Sequence, residues 1–250
     1  MTADRWAQVV RHQLGLGRLL PLGLSRDGAW ITESAADAVL RRAATAVGGV
    51  RLGALRIALA DPDGPYASAV PAPPSALAPG PLRVTAEFGA AADPTAPGAD
   101  PLPATAERLR LALSAAATQR LGLDVSEVDL QVTDLLTDPP EKPENNKEEG
   151  VREAAAPKAP KVPNDPEEAR IAAVVRAVAG VTRLTDALGR SVDITAPAAS
   201  EPAVPRRHVR VELAVSADFR AVEVARAVRT AVAEAARDTP SVAVLVTAVG

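Results

Sequence analysis

Apolar residues recur at helical spacing over residues 33–47 and again over residues 165–179. Each of these amphipathic patterns ends in a Gly-Val pair, and glycine readily adopts the left-handed conformation that closes a helix. The two patterns therefore predict equivalent first helices in the two halves of the chain. The residues that form the apolar stripes are Leu40, Ala43 and Val47 in the first half and Ile171, Val174 and Val178 in the second.

The elements after these helices also follow the same order in both halves. Strict alternation of apolar and polar residues predicts strands with one buried face, and a second helical stripe separates the two strands of each half. The predicted strands are residues 82–88, 128–132, 209–215 and 242–246. The predicted second helices lie within residues 109–121 and 224–235, and shorter extended pieces lie at residues 29–32, 52–59 and 191–194.

Each half thus runs helix, strand, helix, strand. We predict an α+β fold of two tandem small two-layer modules, each with two helices on one face of a three- or four-stranded sheet. The predicted organisation is an amphipathic N-terminal segment at 1–27, a first module at 28–137, a linker at 138–166 and a second module at 167–250.

Proline-rich stretches separate the periodic segments. Residues 138–166 combine many prolines with dense mixed charge and almost no large apolar residue, which is typical of a disordered, semi-extended linker. Residues 62–81 and 94–103 carry proline with little charge, and we interpret them as long loops inserted in the first module. A similar break occurs at residues 196–205.

The last predicted strand, residues 241–249, contains no charged residue and no proline. Such a strand is an aggregation hazard at an exposed sheet edge, so we expect it inside a sheet or at an interface. Together with the stripe of the preceding helix, it supplies the predicted protein-contact residues. These are Val224, Val228, Val232, Val242, Val244 and Val246.

The N-terminal segment combines an apolar stripe with a positive charge. The stripe consists of Trp6, Val9, Val10 and Leu14, and Arg11 is one of the surrounding arginines. Such a helix can lie on an anionic membrane surface. The alternative, that it docks on the first module or on a partner, is favoured because the segment is short and is interrupted by glycine and proline.

Composition removes several classes of function. The chain has no Cys, two His and 2% aromatic residues, so disulfides, thiolate metal sites and aromatic platforms for single-stranded nucleic acid have little or no material. No nucleophile–base or paired-carboxylate motif is present, and we predict a non-enzyme without cofactor or metal. All Lys residues lie in the linker, and the rest is nearly neutral, which argues against a DNA-binding face and makes RNA binding improbable.

Three motifs resemble the bacterial alkaline-shock, or envelope stress response, protein family in an actinobacterial form. They are Leu121-Gly-Leu-Asp-Val-Ser-Glu-Val-Asp-Leu-Gln-Val-Thr-Asp-Leu135, Glu223-Val-Ala-Arg-Ala-Val-Arg-Thr-Ala-Val232 and Gly28-Ala-Trp-Ile-Thr-Glu-Ser34. The resemblance covers most of both predicted modules, as two diverged copies. The second copy departs from the pattern, because Thr239-Pro240 stands where the family has a Gly-Leu turn.

The resemblance implies a non-catalytic, envelope-stress-associated accessory or scaffold protein that acts through protein contacts near the cytoplasmic membrane. We expect a cytoplasmic protein whose partner is a second copy, a related family member or a membrane-anchored protein. Peripheral membrane contact stays open. The alternative function is a small-molecule-binding regulatory module, since units of two helices and one sheet can hold a ligand between copies.

Overall fold

The computed structural model describes residues 15–91, 101–136, 165–195, 207–236 and 238–250. These residues form a mixed α+β fold with four α-helices and two sheets, one of six strands and one of three. The strands are β1 Leu19–Pro21, β2 Ala29–Thr32, β3 Val50–Leu59, β4 Leu82–Ala91, β5 Val125–Leu136, β6 Val181–Leu184, β7 Val192–Thr195, β8 His208–Val215 and β9 Ser241–Val249. The helices are α1 Glu33–Ala44, α2 Leu102–Ala115, α3 Pro166–Ala177 and α4 Ala221–Ala235.

Local sequence signals set the helix ends. Thr32 caps α1, because its hydroxyl accepts a hydrogen bond from the Ala35 amide at 3.3 Å. Asp165 caps α3 in the same way, and Pro166 occupies its first turn, where no amide hydrogen is needed. The α2 helix runs on into a π-helical turn at Ala116–Leu121, which ends at Gly122 with a φ of 90°. The predicted helices are therefore present, with slightly different ends.

The three-stranded sheet has the order β3-β4-β5, with β3 antiparallel and β5 parallel to β4. The alternation along β4 is as predicted, since its inward residues are buried and Arg83 and Thr85 face solvent. The polar residues of β5 are exposed as well. One face of this sheet is thus open to solvent.

The six-stranded sheet has the order β1-β2-β9-β8-β6, and β7 also pairs with β8. Both β6 and β7 are antiparallel to β8, whereas β9 is parallel to β8 and to β2. The uncharged strand β9 therefore lies in the interior of the sheet. This is one of the two placements that were predicted for it, inside a sheet or at an interface. It pairs with β8 along its length and with β2 at residues 244–246, so strands lie on both sides of its middle.

The opening segment of the predicted first module joins the sheet of the second half. Trp30 and Ile31 in β2 lie opposite Leu245 and Val246 in β9. An all-apolar strand needs partners on both edges, and β2 supplies one of them. The buried residues of both halves also belong to one continuous apolar cluster on the helix side of the sheets. The halves therefore share a core instead of each having its own.

The proline-rich connection between β3 and β4, predicted as an insertion in the first module, covers the outer face of the six-stranded sheet. The Leu77 amide donates to the Leu19 carbonyl at 2.8 Å, and the Ala69 amide donates to the Ser25 carbonyl at 3.2 Å. Val70 packs in a second apolar cluster with Leu19, Trp30, Ala243 and Leu245. This connection forms an additional layer, because the outer face of the sheet is itself apolar.

Candidate functional site

The six valines predicted as protein-contact residues are buried by this chain. Val224, Val228 and Val232 line the inner face of α4, and all six are at most 3% exposed. The three valines of β9 face the same core from the sheet. A helix stripe and a strand face of this composition pack against each other, so these residues do not form an outer contact surface.

The second predicted site, consisting of Trp6, Val9, Val10, Arg11 and Leu14, lies outside the described residues, as does most of the predicted linker. Within the described ranges no helix is long and apolar enough to cross a membrane. The hypothesis that the N-terminal segment contacts a membrane or docks on protein stays a prediction.

Exposed apolar side chains concentrate on α2 and β5. Six large apolar residues are exposed among the described residues, and four of them lie on these two elements. Leu111 and Leu135 are the most open, at 60% and 59% exposure. Because α2 packs beside β5, we define the α2–β5 surface by these four residues, which are Leu102, Leu111, Val132 and Leu135.

The β5 strand is also an unpaired edge, since among the described residues it pairs only with β4. Its twelve residues give an edge of about 40 Å at roughly 3.3 Å per residue. Arg110 on α2 protects one position, because its Nε donates to the Val128 carbonyl at 3.2 Å. The edge beyond that carbonyl, up to Leu136, offers backbone groups beside the exposed Val132 and Leu135.

Ion pairs balance the charges on the open face of the three-stranded sheet. Arg83 on β4 bonds Glu127 on β5 at 2.6 Å and lies 3.6 Å from Asp129. Arg51 on β3 reaches Asp134 across the width of the sheet at 2.9 Å. These exposed pairs contribute little stability each, but they leave no strong single-sign patch on this face.

A cleft of about 270 Å³ lies beside the C-terminal half of α4. Arg226 and Arg229 line it together with Thr230, Ala233, Pro240 and Val242. Arg229 donates to the carbonyls of Val242 and Arg26, so these hydrogen bonds fix its guanidinium at the wall of the cleft. Arg226 is paired with Asp27, so the positive charge of this concave surface comes from Arg229, and such a surface suits a small anion.

Arg226 also holds the β1–β2 connection against α4. Its guanidinium bonds both carboxylate oxygens of Asp27, at 3.1 and 2.8 Å, and Asp27 in turn accepts the Leu24 amide. Burial alone would raise the pKa of Asp27, but these hydrogen bonds and the charge of Arg226 outweigh it, so its pKa lies below the usual value.

Glu212 on β8 is a buried carboxylate that sequence reasoning missed. Alternation predicted it on the outer, solvated face of the strand, and the outer direction is right. That face is covered by chain, however, and Glu212 is 0% exposed. Burial raises the pKa of Glu212 to about 7, although the Leu188 amide and Arg210 favour its charged form. The only sequence feature that pointed to a buried carboxylate here was an acidic residue between apolar neighbours on one strand.

His208, at the entrance of β8, lies 2.8 Å from the Ser241 hydroxyl through its Nδ1. Burial and then the charge of Arg210 lower the pKa of His208, which favours the neutral ring at neutral pH. Among the described residues, no three His, Cys, Asp or Glu side chains are grouped in a way that could hold a metal ion.

Comparison with known proteins gives no relative. No protein-family description, curated protein or solved structure matches the chain. The α2–β5 surface, the cleft beside α4 and the buried Glu212 are therefore considered on their own chemistry.

Proposed function

We propose that the chain is a non-catalytic accessory or scaffold protein that works through protein contacts, and that the α2–β5 surface is its contact face. The observation that carries the proposal is the coincidence of an unpaired twelve-residue strand edge with four of the six exposed large apolar residues. Exposed apolar groups at a free edge are typical of interaction sites.

The resemblance to the alkaline-shock family belongs to this proposal. A shared topology supports the idea of two tandem copies, because the two halves have the same strand pairings. The elements in order are α1-β3-β4-α2-β5 in one half and α3-β6/β7-β8-α4-β9 in the other. In both, an antiparallel pair is followed by a helix and a parallel strand. We extend the proposal to the role that the resemblance implies, an envelope-stress scaffold held near the cytoplasmic membrane by a partner.

We propose a second copy of the chain as the partner, with the two β5 strands antiparallel about a two-fold axis. Glu127 and Asp129 lie in the first half of β5, and the second half carries only Asp134. With the two-fold axis at Gln131, Glu127 of one copy lies opposite Leu135 of the other and Asp129 lies opposite Thr133, which avoids like-charge opposition. This pairing also brings Arg110, which is bonded to the Val128 carbonyl, towards the second half of β5 in the other copy, where Asp134 lies.

A two-fold pairing also closes the assembly. The two three-stranded sheets would join into one of six strands, and the exposed edge of each β5 would be used by the other. Leu135 and Val132 would be covered in the same step, because they lie on the strand that pairs. A dimer of this kind needs no residue of the buried core.

Light scattering and sedimentation of the full chain test this proposal. We expect a dimer whose dissociation constant rises at least roughly tenfold in Leu135→Asp and in Leu111→Asp, because a charge replaces a buried apolar contact. The control is Phe219→Asp, which changes an exposed large apolar residue that lies on neither α2 nor β5 and should leave the dimer unchanged. A wild-type monomer at all concentrations, or equal weakening by the control, would contradict the proposal.

The second candidate function is the binding of a small anionic molecule in the cleft beside α4, which the fixed guanidinium of Arg229 favours. Inorganic phosphate would then raise the melting temperature of the full chain and would have less effect on Arg229→Gln. No difference between the wild type and this variant would exclude the cleft as the binding site.

A further inference from the structure

The connection between β6 and β7, residues 185–191, lies directly over Glu212. The Thr185 amide donates to the Glu212 carbonyl at 3.0 Å, and the Glu212 amide donates to the Ser191 carbonyl at 2.9 Å. The two ends of the connection are therefore anchored on either side of one residue of β8. Neither ladder of β8 with β6 or β7 includes Glu212, so at this residue the connection takes the place of a paired strand.

Leu188 at the middle of the connection holds it closed in two ways. Its amide donates to Glu212 Oε2 at 2.9 Å. Its side chain packs on the outer apolar cluster that contains Leu19, Trp30 and Leu245 and lines a cavity of about 40 Å³ under the proline-rich layer. Movement of Leu188 would thus expose both the carboxylate and the apolar cluster.

The charges around Glu212 stabilise its ionised form only in part. Arg210 Nε lies 3.5 Å from Glu212 Oε1, and neither atom has a hydrogen-bond partner among the described residues. Arg210 is shared with Asp193 on β7, at 3.3 Å, and Asp186 in the connection itself adds a second negative charge near Glu212. An ionised Glu212 therefore has one shared cation and one repelling carboxylate.

The other elements around Glu212 add little charge. Arg190, at the end of the connection, is bonded to Glu168 of α3 at 3.1 Å. The facing residues of β9 and the covering segment at residues 70–77 contain no charged side chain. Apart from the amides of Leu188 and Ala187, which also favour the charged form, water is the remaining source of stabilisation for the carboxylate, and the connection excludes it.

We propose that residues 185–191 form a proton-controlled latch, closed while Glu212 is protonated and released when Glu212 ionises, so that the apolar cluster under Leu188 becomes accessible. Release hydrates the carboxylate and separates it from Asp186. The burial that raises the pKa of Glu212 to about 7 places this change near neutral pH. Alkaline conditions then favour the open form, and acid conditions favour the closed one.

Hydrogen exchange of the Leu188 amide in the full chain, corrected for the intrinsic exchange rate, measures the latch. We expect its protection to fall by at least roughly tenfold between pH 6 and pH 8.5, since each pH unit of unequal proton binding changes the open-to-closed ratio up to tenfold. Trp30, which is 1% exposed, should become more accessible to acrylamide over the same range, measured in a Trp6→Phe background.

Two variants make the test decisive. Glu212→Gln keeps an oxygen for the Leu188 amide but cannot ionise, so its protection should not change with pH. Asp186→Asn removes a charge that raises the pKa of Glu212, so the midpoint of the pH change should move down and the loss of protection should be smaller. Wild-type protection that does not depend on pH, or the same pH dependence in Glu212→Gln, overturns the proposal. If Glu212→Gln does not fold, an unshifted midpoint in Asp186→Asn overturns it.

Discussion

Gly122→Ala probes the contact that joins the two halves of the chain. Gly122 ends the π-helical turn after α2 with a φ of 90°, and its carbonyl accepts the Gly23 amide at 3.0 Å. A Cβ at this position would lie 2.6 Å from the Cβ of Val222 at the start of α4. Val222 is 1% exposed, so neither partner can move into solvent.

The expected cost has two parts. A side chain in the left-handed region costs about 1–2 kcal/mol, and forcing an extra methyl group into a packed core costs about 1–3 kcal/mol. We therefore expect Gly122→Ala to reduce the free energy of unfolding by about 3 kcal/mol, which is a large part of the stability of a typical domain.

Equilibrium urea unfolding of the full chain measures this loss, and Gly189→Ala is the matched control. Gly189 has a φ of 110°, but no atom of another residue lies within 4 Å of the place that a Cβ would take, so its substitution reports the backbone cost alone. Compared with Val222→Ala, the double variant Gly122→Ala/Val222→Ala should show a smaller cost than Gly122→Ala shows against the wild type, because the clash with the methyl groups of Val222 is gone and the backbone part remains. If Gly122→Ala costs no more than Gly189→Ala, the proposed packing of the turn on α4 is wrong.

Two titratable groups give the remaining predictions. Between pH 4.5 and about 7, Glu212 is protonated in the folded state and ionised in the unfolded chain. The free energy of unfolding should therefore fall by about 3 kcal/mol as the pH rises through this window. Urea titrations of Glu212→Gln should not show this pH dependence. The pKa of Asp27 is lower in the folded state than in the unfolded chain. Its contribution to the free energy of unfolding is therefore present above its unfolded pKa and is lost as the pH falls through its folded pKa. Asp27→Asn should cost about 2 kcal/mol at neutral pH, because Arg226 loses its charged partner, and the difference from the wild type should shrink in acid. A constant difference would contradict this assignment.

Periodicity predicted most of the local structure. The alternation in β4 and β8 is strict because one face of each strand packs against helices. Such a face requires an apolar residue at every second position, which is visible in the sequence. The strands β1 and β6 were not predicted, because their residues do not alternate between apolar and polar. The pairing of β2 with β9 joins residues more than 200 positions apart, and no local pattern encodes it.

The candidate sites were harder to predict than the strands. The valines of α4 and β9 have the composition of a contact surface and of a core alike, and only the fold shows that they are core. Leu111 lies off the helical stripe of Leu109 and Leu113, and Leu135 lies off the alternation of the preceding residues of β5, so neither position belonged to a predicted apolar face. Glu212 was predicted on the outer face of its strand, and the sequence does not show that the connection between β6 and β7 covers it there.

The central claim is that two copies meet through β5, and distance measurement between single spin labels tests it most directly. The chain has no Cys, so Gln131→Cys, at an exposed position in the middle of β5, introduces the only thiol. We expect an interlabel distance below about 20 Å in the dimer, because adjacent strands lie about 4.8 Å apart and each residue along a strand adds about 3.3 Å. A dimer by light scattering without dipolar coupling between the labels would contradict the claim.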